Sequence, residues 1–95
     1  MTHHFDNTKE ELLKDTDKLK KEARTEIEKL KSEGKHVLAQ ELEVLEQAIE
    51  KLEKTIENIH PSTQVGQVAL HAAEAVLKGL ESKLQAEIKK LGEHH

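Results

Sequence analysis

The chain has 95 residues, with 15 Lys plus Arg against 19 Asp plus Glu, for a formal net charge of −4. It has no Cys, Trp or Tyr, one Phe, one Pro and four Gly. This excludes a disulfide scaffold, a Cys-based zinc site and a thiol nucleophile, and it disfavours sandwiches and barrels, which want aromatic and β-branched strands with frequent turns.

What remains is a composition dominated by helix formers, Glu, Lys, Leu and Ala. The length suits one domain spanning residues 1–95, with tails at 1–5 and 92–95. The segment Met1 to Glu10 is polar, without the apolar core of a signal peptide. No apolar run approaches the ~20 residues of a membrane span. A cytoplasmic protein with no membrane partner is expected.

Helix 1 is predicted over about residues 7–33. Its apolar seam is thin: Leu12, Leu19, Ala23, Ile27 and Leu30, with Thr16 inside it and Leu13 beside it. Phe5 falls one heptad before Leu12 and is expected to plug the end of the bundle. So few large apolar groups must offset a backbone entropy cost of ~1–2 kcal/mol per ordered residue. Helix 1 is therefore expected to be the mobile or exchangeable element. Gly34 suits the left-handed position just past a helix end.

Helix 2 is predicted over about 36–59. Leu38, Leu42, Leu45, Ile49, Leu52, Ile56 and Ile59 alternate spacings of 4 and 3, an uninterrupted heptad seam. Val37, Val44, Ala48 and Thr55 are expected to widen it on one flank, as a helix touching two neighbours needs. Glu43, Glu46, Glu50, Glu53 and Glu57 form an acidic stripe expected to centre on the side of the helix opposite that apolar face. Residues 34–60 hold three Lys against six Glu, so the negative charge is concentrated here. The stripe reads either as a solvated face partly neutralised by the lysines of helix 1, or as a docking strip for a basic partner.

Pro61 disfavours helix at His60, and Ser62 or Thr63 can cap the third helix. Helix 3 is predicted over about 63–91, ending at Gly92. Leu70, Ala73, Leu77, Leu80, Leu84, Ile88 and Leu91 form one stripe, extended by Val65, Ala69 and Val76. A second stripe, Ala72, Ala75, Gly79, Ser82 and Ala86 with Val68, lies nearly opposite. Small residues there permit close approach of another helix, either helix 1 of the same chain or a partner. Gly79 within a helix costs about 1 kcal/mol relative to Ala, which a close contact would justify.

Short connections force neighbouring helices to alternate in direction. The predicted fold is all-α, an antiparallel up-down-up three-helix bundle with coiled-coil-like packing.

Candidate chemistry is sparse. Seven histidines invite a metal reading. Glu57 with His60, and His71 with Glu74, have the i, i+3 spacing used in di-metal bundles. The register of a helix 2–helix 3 hairpin separates the two pairs, and His71 falls on a polar face. His3, His4 and His60 would share one end of the bundle, His36, His94 and His95 the other. Ser32, Ser62 and Ser82 lack an elbow or a paired base. A bundle this small is expected to have scant room for a pocket of ~300 Å³ or more.

No enzymatic activity and no cofactor or small-molecule substrate are expected. Net acidity and missing aromatic platforms argue against nucleic acid. The expected function is a non-enzymatic helical interaction protein, such as a small adaptor, regulator or assembly factor. It would act through the acidic stripe of helix 2 and the small-residue face of helix 3. The partner would be a protein, with a second copy of the chain among the candidates. The alternatives are a His-based divalent metal binder, and a structural or designed bundle without ligand.

Overall fold

A computed structural model describes the backbone of residues 3–93 and the side chains of residues 8–91. It contains three helices, in chain order α1 (His3–Ser32), α2 (His36–Glu57) and α3 (Gln64–Glu93). The long axis measures 51 Å, and a 30-residue helix spans about 45 Å at 1.5 Å per residue, so α1 and α3 run nearly its whole length. Relative to the sequence prediction, α1 begins four residues earlier and α2 ends two residues sooner. The expected role of Phe5 lies outside the described side chains.

The helix ends are specified locally. Gly34 has φ 76°, and the amides of Gly34 and Lys35 donate to the carbonyls of Lys31 (3.1 Å) and Leu30 (2.8 Å). This is the Schellman arrangement, which terminates α1 and reverses the chain. At the second turn, Thr63 caps α3. Its hydroxyl accepts from the Gly66 amide at 2.9 Å and donates to the His60 carbonyl at 3.0 Å. Gly66 is required here by close approach, because a Cβ would overlap the His60 carbonyl.

Cross-helix pairs fix the directions. Lys9 reaches the carbonyls of Glu57 and Ile59, Lys20 reaches Glu53, Arg24 reaches Glu50 and Glu46, and Lys31 reaches Glu43. Partners on α2 descend as positions on α1 rise, so these helices are antiparallel. Gln85 of α3 donates to Glu22 of α1. Thr8 borders residues 64–74 of α3, and Leu30 borders Ile88 and Leu91. Helices α1 and α3 therefore run parallel, which completes the up-down-up topology.

The heptad seams form the core. Leu12, Leu19, Ala23, Ile27 and Leu30 of α1 pack with Ala39, Leu42, Leu45, Ile49, Leu52 and Ile56 of α2, with Ile59, and with Leu70, Ala73, Leu77 and Leu84 of α3. Thr16 is fully buried, and its hydroxyl donates to the Leu13 carbonyl at 2.9 Å, as a buried hydroxyl must. Leu38, Ala69, Leu80, Ile88 and Leu91 are half-buried around this core.

One expectation is corrected. Val37 and Val44 are exposed, as are Thr55, Val65 and Val76, so the flanks assigned to them do not widen the core. With three helices, a residue more than about 100° from the seam centre has no neighbouring helix to meet. Helix α1 is tied to α2 from Lys9 to Lys31, and α3 supplies four buried apolar side chains to the core. No described helix is long and apolar enough to cross a membrane.

Candidate interaction surface

The acidic stripe belongs to the α1–α2 interface. Lys20 donates to the Glu53 carboxylate at 3.0 Å, with both side chains at most one-fifth exposed. Arg24 bridges Glu46 (2.6 Å) and Glu50 (3.2 Å), and Lys31 meets Glu43 at 2.8 Å. The hydrogen bond that Lys20 donates to Glu53 raises its pKa, those that Arg24 donates to Glu46 and Glu50 raise its own, and that from Lys31 to Glu43 raises Lys31. In each case a nearby carboxylate stabilises the cation. Four of the five stripe carboxylates are thus occupied within the chain. The stripe is a flank of the seam bordering α1 rather than an open docking strip. Glu57 is exposed, and its carbonyl accepts from Lys9.

Lys9 was not singled out by the sequence. Its ammonium donates to the Glu57 (3.0 Å) and Ile59 (2.9 Å) carbonyls at the C-terminal end of α2. A cation there satisfies orphan carbonyls and complements the helix dipole. The signal available was register alone: a lysine three residues before Leu12, level with the end of α2.

The histidine candidates do not assemble. His60 and His71 are exposed, and Glu57 and Glu74 lie on different helices. Among the described residues no group of three His, Asp or Glu is placed to hold a metal ion. Glu74 pairs instead with Lys78 at 3.4 Å. The side chains of His3, His4, His94 and His95 lie outside the described residues. His71 and Glu74 line an open groove of about 430 Å³ between α1 and α3, with Thr8, Gln64, Gln67, Val68 and Leu70. A second groove, of about 440 Å³, runs between Lys18, Lys21, Glu22 and Thr25 on α1 and Gln85 and Ile88 on α3. These volumes exceed the expectation of a bundle with scant room. Both are surface channels between helices.

The small-residue stripe is open. Ala72, Ala75, Gly79, Ser82 and Ala86 are all exposed, so the flank does not pack against α1. A Cβ on Gly79 would meet nothing within 4 Å, so no intramolecular contact needs the glycine. Exposed valines border the stripe. Exposure reaches 81% at Val65, 66% at Val68 and 51% at Val76 on α3, and 71% at Val37 and 67% at Val44 on α2. These five are the large hydrophobics left exposed among the described residues, and none is on α1.

Charge on α3 is sorted by direction. Glu74, Glu81 and Glu87 are half-buried on its inward half, while Lys78, Lys83, Lys89 and Lys90 are exposed. Counting about 100° per residue, the outward half of α3 carries valine, alanine, glycine, serine and lysine, with Gln64, His71 and Gln85 towards its edges and no carboxylate among the described residues. Solvated helix backs are ordinarily charged or polar throughout. The middle of this one is apolar from Val65 to Gly79, with exposed His71 and Lys78 at one edge, and it is basic towards its end.

No family model matches the chain, and no curated protein or solved structure matches it.

Proposed function

We propose that the chain is a non-enzymatic helical interaction module whose working surface is the outward face of α3. The observation that carries this reading is the run Val65, Val68, Ala72, Ala75, Val76 and Gly79, an exposed helix back with no charged side chain and no intramolecular partner. Large contiguous apolar exposure marks interaction sites. A glycine that weakens its own helix with no local steric need points to close approach from outside.

The hairpin of α1 and α2 serves as the platform. Its carboxylates are spent on Lys20, Arg24 and Lys31, so the acidic stripe is not carried forward as a docking surface.

A photo-crosslinking amino acid placed at Ala75, compared with one at the exposed Glu28 of α1, tests the reading in cells of origin. Crosslinks to a defined protein species from position 75 and not from position 28 are expected. Equal yields from both positions, or none from position 75, would overturn it.

A further inference from the structure

We infer that the partner of α3 is an amphipathic helix of another protein whose polar flanks are acidic. This rests on the reading of α3 as the working surface and adds the chemistry of what it receives. The argument begins with the sorting of charge. The protein as a whole is acidic, with a formal net charge of −4. Yet its exposed apolar face is bordered by Lys78, Lys83, Lys89 and Lys90, while the carboxylates of the same helix among the described residues, Glu74, Glu81 and Glu87, are half-buried on the inward half. Lys78 is held by Glu74, and Lys83, Lys89 and Lys90 pair with no carboxylate among the described residues. Carboxylates of a docking partner would complete those three.

The same sorting argues against a second copy. Two copies stacked in parallel through this face would bring lysine ends together, and like charges juxtaposed at an interface oppose association; stacked antiparallel, they would set Lys83, Lys89 and Lys90 over the valine end and supply those lysines with no carboxylate. It also argues against an anionic lipid surface. Interfacial helices bury large apolar and aromatic side chains among the acyl chains, whereas Ala72, Ala75, Gly79, Ser82 and Ala86 would insert almost nothing. What small residues provide is a shallow track along which another helix approaches closely, its own larger side chains filling the space above Gly79 and Ala75. The valines at 65, 68 and 76 then cover the apolar end of that helix. The lysines at 83, 89 and 90 meet its acidic end.

The test uses the whole chain and two fluorescein-labelled synthetic helices. Both carry Leu and Ile at a and d positions; one has Glu at every e and g position, the other Lys. Like charges at e and g keep each probe from pairing with itself. Fluorescence anisotropy is expected to show the Glu helix binding at least about tenfold more tightly than the Lys helix, with an affinity that falls steeply with salt. Lys83→Glu with Lys90→Glu should invert that preference. Gly79→Leu should abolish binding of the Glu helix while circular dichroism shows an intact bundle.

Equal binding of both probes, lost in Gly79→Leu, would overturn the acidic partner while leaving α3 as the working surface. No binding of either probe at about 100 μM, the weak end of the specific affinity range, would overturn both readings. Preference for the Glu helix that survives the two lysine reversals places the contact elsewhere and overturns the inference. So does a concentration-dependent dimer, or binding to phosphatidylglycerol vesicles, that Gly79→Leu removes.

Discussion

Two glycines on one helix separate what the fold requires from what it merely permits. Gly66 sits where the turn after α2 folds back, and any side chain there would strike the His60 carbonyl. Relief demands movement of backbone, not of a flexible side chain. Gly66→Ala should therefore destabilise the chain by about 1–3 kcal/mol, in the range of overpacking at a rigid site. Gly79 has open space around its Cα and no unusual backbone angle to preserve. Gly79→Ala should stabilise the chain by about 1 kcal/mol through helix propensity. Urea unfolding followed by circular dichroism at 222 nm would check both, and a stabilising Gly66→Ala or a destabilising Gly79→Ala would contradict the assignment. In the sequence only Gly79, not Gly66, stood out as a helix-weakening glycine. What distinguishes them is the path of the His60–Thr63 turn, a non-local fact that no spacing encodes.

The pairing of α1 with α2 rests on an apolar seam and a charged border, and the two differ in how far the sequence reveals them. Leu42, Leu45, Ile49, Leu52 and Ile56 were legible because a heptad needs only period and residue type. Gly34 and Thr63 were legible because their roles at helix ends are local. The destination of Glu43, Glu46, Glu50 and Glu53 was not. Carboxylates flanking a seam read equally as solvated or as paired until the register of Lys20, Arg24 and Lys31 is known. The structure supplies that register, and with it a pH dependence. Lys20 and Lys31 have pKa values raised above the ordinary 10.5 by their carboxylate partners. A group raised on folding contributes stability that is fully present below its unfolded value and is lost as pH climbs through the folded one. The contribution should therefore be constant through neutral pH and disappear above about 10.5. Thermal melts between pH 9 and about 11.5 should show a falling midpoint, with the fall reduced in Lys20→Met with Lys31→Met. An undiminished fall in that variant would show that these pairs are not its source.

At the scale of the molecule, the three helices are not held equally. Helix α1 lies against α2 from Lys9 to Lys31, with ionic contacts along that length. Helix α3 contributes Leu70, Ala73, Leu77 and Leu84 to the fully buried core, and beyond Leu84 its apolar residues Ile88 and Leu91 are only half-buried. Gln85 donates to Glu22 of α1 across a 3.4 Å contact. Counting large apolar side chains along α1 suggested the reverse order, because that count omitted Lys9, Lys20, Arg24 and Lys31 as cross-helix ties. It also credited α3 with Val65 and Val76, which face solvent. Helix α3 should thus open from an α1–α2 hairpin that stays closed, a sub-global unfolding of the kind that native-state exchange resolves. Amides of residues 70–84 are expected to exchange about tenfold faster than those of 19–30 and 42–56, a difference of about 1.4 kcal/mol in opening free energy. Equal protection in all three helices, or earlier opening of α1, would reject this order. The helix with the least burial is also the one with the uncovered face, and these two properties have one cause: an outward flank of α3 that no element of the chain covers. A bound helix laid along Val65 to Ala86 would bury that flank and lower the population of the open state by mass action. Protection in residues 70–84 should then rise with ligand concentration, while protection in the 42–56 seam of α2 changes far less.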